Sequence, residues 1–241
     1  MPQPAFAPRV LSAGSLPPRL ADLNDPPSEL FLWGQLPRGA AVAVVGTRKP
    51  SEAALRFTRQ LARDLARAGV AILSGGAAGI DRAAHEAALE AGGETLVVAP
   101  SGLSRPYPAA HRALFERVVE AGGGYLSVVP DGNAAEPWCF FRRNSVMAAL
   151  AHAVVAVECG VRSGTRNTTA RARRLGRPVF WPPSPPWEPR GAGFLLEYRL
   201  GGVTPLCDAR DVLENLRARR LYGVGEALQL GFELETEDPG D

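Results

Sequence analysis

Ser74, Gly75, Gly76, Gly79 and Asp81 fall within one short segment, and their types and spacing suit them to hold an anion. The apolar run Ala71-Ile72-Leu73 leads into the glycines, and an alanine-rich helical pattern starts directly behind them. A strand that turns through glycine into a helix aims backbone N–H groups and the positive end of the helix at one point, so a phosphate-bearing ligand is the natural candidate. Two other segments repeat the arrangement. Residues 42–45 run into Gly46, Thr47 and Arg48, and residues 153–157 run toward Ser163, Gly164 and Thr165.

Six arginines stand between Arg162 and Arg177, with no acidic residue from Cys159 to Trp187, which makes this the strongest local charge in the chain. At about 100° per residue, Arg166, Arg173 and Arg177 share one helical face, and Thr168, Ala172 and Leu175 share the opposite one. Arg173 and Arg177 are therefore read as a solvated face, whereas Arg162 and Arg166 flank Ser163-Gly164-Thr165 beside the expected anion site. Trp138, Phe140 and Phe141 stand next to Arg142, Arg143 and Asn144. Aromatic faces stack on unpaired bases and arginine binds phosphate, so this is the composition of a single-strand groove. The alternative for Phe140 or Phe141 is a core position at a strand-to-helix entry.

Several chemistries are excluded or disfavoured. No G-x-G-x-x-G follows the first strand, where Gly46-Thr47-Arg48 stands instead, and no Gly-Lys-Ser/Thr triplet exists, Lys49 being the only lysine. Asp81 and His85 are four apart on one helix. With three histidines in the chain and no third ligand in view, Asp81 is read as capping the helix or orienting the glycine turn, and His85 as packing or facing water. No Ser-His-Asp, Cys-His or paired-glutamate arrangement can be assigned. The expectation is thus a binding protein with no catalytic residue, no metal and no cofactor.

The elements that must position these residues alternate along the chain. Ala54, Phe57, Leu61, Leu65 and Ala68 recur at helical spacing and Gly69 closes that helix. There follow a strand at 70–73, a helix at 80–91, a strand at 95–99, a helix at 109–121, a strand at 125–129, a helix at 143–151 and a strand at 153–157. A helix at 165–175, an extended piece at 178–181 and a helix at 208–216 complete the series. Strands separated by single helices imply right-handed crossovers. The fold class is α/β, an extended Rossmann-like, doubly wound, mostly parallel sheet with helices on both faces. Ligands of such sheets bind beyond the carboxyl ends of the strands, where the glycine turns lie.

The expected organisation is a proline-rich segment at 1–28, a Rossmann-like domain at 29–217 and an acidic tail at 218–241. Residues 30–34 are read as an added edge strand, and the proline-dense stretch 181–189 as a stiff connector. The 241 residues, 46% of them hydrophobic, suffice for one core of ordinary size, and a net charge of +2 requires any attraction to nucleic acid to be local. Three widely spaced cysteines without a C-x-x-C pair point to a reducing cytoplasm. The chain shows no signal-peptide pattern and no apolar run of membrane-spanning length, so a cytoplasmic protein is expected.

Taken in order, Leu30-Phe31-Leu32-Trp33-Gly34, Val44-Val45-Gly46-Thr47-Arg48, the stretch from Ser74 to His85, Tyr107-Pro108, Arg143-Asn144, Arg162-Ser163-Gly164-Thr165 and Gly176-Arg177-Pro178-Val179-Phe180 resemble the DNA-processing protein A (DprA/Smf) family over about residues 17–216. The resemblance implies an extended Rossmann domain that binds single-stranded DNA, dimerises, acts in DNA processing, natural transformation and recombination, helps load the RecA recombinase and catalyses nothing. It carries a DNA- and phosphate-binding role onto Arg48, Ser74, Gly75, Gly76, Gly79, Asp81, Arg143, Asn144, Ser163, Gly164 and Thr165; Phe140 and Arg166 join the expected site on their residue types and neighbours alone. The chain departs from the pattern at Gly76, Ser145, Arg166-Asn167 and Pro182-Pro183, and the helical and winged-helix accessory domains of many members are expected to be missing. These departures weigh against RecA loading more than against strand binding. The runner-up is a nucleotide sensor or phosphoribohydrolase-like enzyme, whose Pro-Gly-Gly-x-Gly-Thr-x-x-Glu signature is absent.

Overall fold

The computed structural model describes residues 7–221. They form a nine-stranded sheet of β1 (Arg9–Leu11), β2 (Leu30–Gly34), β3 (Ala41–Gly46), β4 (Ala71–Ser74), β5 (Thr95–Ala99), β6 (Gly124–Ser127), β7 (Ala153–Val157), β8 (Val179–Trp181) and β9 (Thr204–Pro205), in the order β1-β2-β6-β5-β4-β3-β7-β8-β9. The strands from β6 to β9 are parallel, and β1 and β2 are added antiparallel at one side. The α-helices of the described residues are α1 (Glu52–Arg67), α2 (Ile80–Glu90), α3 (Arg112–Glu120), α4 (Pro137–Leu150), α5 (Gly164–Arg174), α6 (Ala192–Arg199) and α7 (Ala209–Ala218).

The strands read as unbroken apolar runs because both faces of the sheet are covered. Val42, Val44, Ile72 and Val155 pack with Leu61, Leu65, Ala84 and Leu213 of α1, α2 and α7. The alternate residues Ala43, Val45, Leu73 and Val154 pack with Val146, Met147, Ala172 and Phe194 of α4, α5 and α6. Such alternation follows from the two-residue period of a strand. The α/β expectation of a doubly wound, mostly parallel sheet is met. From β3 the chain winds outward to β6, and α4 then carries it back to the other side of β3 as β7. That reversal opens a crevice at the carboxyl ends of β3 and β7.

Local sequence explains the helix starts. Ser51 Oγ accepts from the Ala54 amide at 3.1 Å and caps α1. Ser163 Oγ accepts from the Thr165 amide at 3.1 Å and caps α5. Each side chain supplies an acceptor to an amide that the helix leaves without one. Gly79, with φ of +83°, leads into α2; a Cβ there would stand 2.4 Å from the Thr47 carbonyl oxygen. The backbone conformation and the close approach of the β3–α1 loop both require glycine.

Four expectations need correction. The strand at 30–34 is flanked by β1 and is not the edge, since β1 is only three residues long and lies in a proline-rich stretch. The helix expected at 143–151 begins at Pro137, so Trp138, Phe140 and Phe141 are helical; proline at the first helical position is a start signal with fixed φ. Helix α6 is additional, its brief pattern framed by Gly191 and Gly193. The proline-rich N-terminal segment, set apart in the expected organisation, packs into the fold: Leu20 is buried, and the Arg19 guanidinium donates to the carbonyl oxygens of Ala149 and Ala151. The acidic residues expected in a solvated tail, from Glu233 onward, lie outside the described residues.

Candidate nucleic-acid interface

A cavity of about 340 Å³ opens at the switch between β3 and β7. Four segments enclose it: the β3–α1 loop with Gly46, Thr47 and Arg48; the start of α2 with Asp81; the first half of α4 with Phe140, Arg143 and Asn144; and the entry to α5 with Arg162, Ser163, Gly164 and Thr165. The three strand ends whose composition suggests anion binding are thus neighbours.

Glycine makes the inner wall. A Cβ on Gly75 would fall 1.2 Å from Arg143 Nη1, so the guanidinium occupies the space a side chain would take. A Cβ on Gly46 would fall 2.1 Å from the Val157 carbonyl oxygen and 2.6 Å from Ile80 Cγ1, which is how β3, β7 and α2 come so close. Gly76 serves a different purpose. Its φ is +73°, its Cβ position abuts Phe115 and Val97 on the core side, and its carbonyl oxygen is 2.9 Å from His111 Nδ1. Ser74 is buried as well, and its hydroxyl donates to the Val44 carbonyl oxygen at 2.6 Å, tying β4 to β3.

Asp81 and Arg143 form the charged floor, and both are buried. Asp81 Oδ2 accepts from the amides of Gly75 at 3.2 Å and Ala77 at 3.4 Å, so the carboxylate orients the glycine turn. Arg143 Nη1 lies 4.0 Å from the same oxygen, beyond hydrogen-bond reach, and among the described residues the Arg143 Nε–H meets no acceptor. Burial pushes the Asp81 carboxyl above its usual range, against the opposing pull of Arg143 and the two amides. Burial likewise lowers Arg143, and the neighbouring Arg48 lowers it further while Asp81 acts against both. A buried cation with a distant counter-ion and a second cation nearby is stabilised by an incoming anion.

Arg48 is exposed, and its guanidinium carbon is 6.0 Å from the centroid of the Phe140 ring. On another side Phe140 meets Tyr107 edge to face, with centroids 5.3 Å apart. Phe140 is only partly buried, which leaves ring surface beside two arginines. Asn144 donates to Asn167 Oδ1 at 3.4 Å.

Two readings of the arginine-rich segment are overturned. Arg166 turns away from the cavity, its Nε donating to Glu197 Oε1 at 2.7 Å and its Nη1 to the Val161 carbonyl oxygen at 2.7 Å. Arg173, expected on a solvated face, pairs with Glu197 Oε2, and Arg177 pairs with Asp22 Oδ2. Glu197 of α6 is 1% exposed, and two arginines two turns apart on the same face of α5 hold it. The acid comes from a helix further along the chain, so local charge alone does not reveal it. Trp138 also stands outside the cavity, donating to Glu136 Oε2 at 2.7 Å. Residue type alone points to neither Tyr107 nor Thr168. Tyr107 is marked only by the family resemblance, and the helical periodicity puts Thr168 on the face opposite Arg166, which is the face that lines the cavity.

His85 does not join Asp81 in any acid–base pair. Its Nδ1 is 2.7 Å from Thr95 Oγ1, whose own proton goes to the Ile72 carbonyl oxygen at 2.8 Å, so the ring donates through Nδ1. Burial lowers His85 to about 3, which leaves it neutral near pH 7. Among the described residues no cluster of three or more His, Cys, Asp or Glu is placed to hold a metal ion.

The likeness to known proteins bears on this site. DNA processing protein A of Helicobacter pylori, described for its single-stranded DNA binding mode, superposes with a TM-score of 0.79 at 26% identity, over 89% of this chain and 98% of that one. DNA processing protein A of Streptococcus pneumoniae gives a TM-score of 0.77 at 31% identity, over 87% of this chain and 74% of that one. A putative DNA processing protein of Mycobacterium tuberculosis is 42% identical over 172 residues, which is 69% of this chain but 44% of the relative, so the chain spans less than half of that protein. The family model for DNA recombination-mediator protein A matches residues 9–217, and the chain belongs to that family.

Proposed function

We propose that this protein binds single-stranded DNA in the crevice and serves in DNA processing, transformation and recombination. The observation that carries the reading is that buried Arg143, with its unmatched Nε–H, lines one cavity with exposed Arg48 and the Phe140 ring over which Arg48 lies. Arginine supplies charge-assisted bonds to phosphate and the ring a stacking face for an unpaired base. The structural likeness to a single-stranded DNA binder supports it. In this reading Arg48, Phe140, Arg143 and Asn144 contact the strand, together with Ser163, Gly164 and Thr165. Gly75, Gly76, Gly79, Ser74 and Asp81 shape the wall, and Arg166 acts at a distance by holding α6.

The site is read as one of binding without turnover. Its titratable groups are Asp81 and the three arginines Arg48, Arg143 and Arg162, with no nucleophile held by a general base among the described residues. Homodimerisation, cooperation with the RecA recombinase and action in the cytoplasm are further parts of the proposal, resting on family membership. No helix among the described residues is long and apolar enough to cross a membrane. A gel-shift titration with single-stranded DNA, in competition with duplex and with mononucleotides, tests the reading. Single strand should compete far better than either. Mononucleotides displacing the strand at equal nucleotide concentration would instead favour a nucleotide sensor.

A further inference from the structure

On the other side of α4 from the crevice lies a second, larger cavity of about 510 Å³. Its wall carries Phe141 and Arg142 of α4, Arg171 and Arg174 of α5, and Asn24 and Asp25 of the N-terminal segment. Phe141 is 54% exposed, an unusual state for a phenylalanine within a helix whose preceding Cys139 is buried and Phe140 half-buried. Arg142, Arg171 and Arg174 have no ion pair with an acid among the described residues, in contrast to Arg166, Arg173 and Arg177 of the same region. Burial and the adjoining positive charge of Arg174 both lower Arg171.

The two cavities share a wall. Asn167 Oδ1 accepts from Asn144 Nδ2, which lines the crevice, and at 2.9 Å from Arg171 Nε, which lines the second cavity. A single amide thus fixes one residue of each. What separates them is α4, a helix of about 10–12 Å with its side chains. At about 3.4 Å per stacked nucleotide, roughly three nucleotides pass over it.

We propose that a single strand leaving the crevice continues over α4 into this second cavity, where a base stacks on Phe141 and the backbone runs along Arg142, Arg171 and Arg174. The proposal rests on the reading of the crevice as a single-strand site and extends it to a second nucleotide subsite. The composition favours this occupant: an exposed ring beside three arginines with no ion-pair partner among the described residues suits a non-specific single-strand track, with sequence-tolerant stacking and charge along the backbone. Two acids line the same cavity from the N-terminal segment, Asp22, which is paired with Arg177, and Asp25. The Asp25 carboxylate accepts from base amino groups and repels phosphate, which sets the orientation of the strand with its phosphates toward α5.

The test is an oligonucleotide ladder. Affinities of dT4 and dT12 are measured by fluorescence anisotropy for the full chain, for Phe141→Ala and for Arg174→Ala; both side chains are exposed, so neither change empties the core. Phe141→Ala should leave dT4 unchanged and weaken dT12 about 5- to 150-fold, the range that corresponds to stacking of one base. Arg174→Ala should reduce the salt slope for dT12 by about 0.7 and leave that for dT4 as it was. Equal weakening of both lengths by Phe141→Ala would place the ring in the crevice and overturn the second subsite. Unchanged affinity at both lengths would also overturn it and leave an acidic protein segment as the occupant. Failure of the unaltered protein to bind any oligomer would instead bring down the crevice reading itself.

Discussion

Two groups of arginines lie close together around α4 and α5, and the fold treats them in opposite ways. Arg166 and Arg173 close on Glu197, and Arg177 on Asp22. Arg143 is left with a carboxylate at 4.0 Å and an unmatched Nε–H, and Arg48 with an aromatic ring. The first group holds helices together; the second presents charge to a cavity. Density of arginine along a chain therefore does not locate an anion site. The locating feature is whether the fold brings an acid within hydrogen-bond reach of each guanidinium.

The sharpest way to break this comparison is to remove the acid from the first group. Glu197→Ala strands two arginines and should cost about 3–5 kcal/mol of stability, as loss of one partner from a buried ion cluster does. Single-strand affinity of the folded fraction should stay unchanged, and both are read from denaturant titration beside anisotropy. Arg48→Ala should do the reverse, weakening single-strand binding by about 1.5–3 kcal/mol, the range of a hydrogen bond to a charged group, with the denaturation midpoint in place. Smaller in size is Ser163→Ala, which removes the α5 cap and should cost about 1 kcal/mol by thermal denaturation.

A pH titration sharpens the contrast between the charged crevice and two neutral histidines, buried His85 and half-buried His152. His152 accepts from the Ala41 amide at 3.1 Å, and burial lowers it to about 4; burial lowers His85 to about 3. Both folded values lie below the unfolded value of about 6.5, so the unfolded chain takes up protons first. The contribution to stability is complete above about pH 6.5 and is lost as pH falls through about 4 and then 3. His152→Gln should flatten the upper part of that fall in urea midpoints measured from about pH 7 to pH 4.

Much of the frame is legible in the amino-acid sequence. The apolar runs of β3, β4 and β7, each ending in glycine or in small and hydroxyl residues, announce the strand ends that meet at the crevice. The spacing of Leu61 and Leu65 announces α1. Other features leave no local trace. β1 pairs through only three residues, and α6 is eight residues long with a glycine at its second position, so neither has enough period to be read. The acid at Glu197 lies 24 residues from Arg173, and pairing over that distance depends on how α6 packs. Burial of Arg143 is visible only once Gly75 is seen to make room for it. The aromatic–cationic cluster is legible as a mixture, yet the split between Phe140 at the crevice and Phe141 in the open depends on a helix start at Pro137, well ahead of the apolar pattern that begins near Arg143.

The central claim is that arginines with no acid within hydrogen-bond reach, and not arginines in general, grip the strand. Its most direct measurement is the salt dependence of single-strand affinity for the unaltered protein, Arg48→Ala and Arg173→Ala. The slope of log affinity against log salt should become shallower by about 0.7 for Arg48→Ala, the loss of one neutralised phosphate, and stay the same for Arg173→Ala. An unchanged slope for Arg48→Ala, or an equal change for Arg173→Ala, would contradict the account.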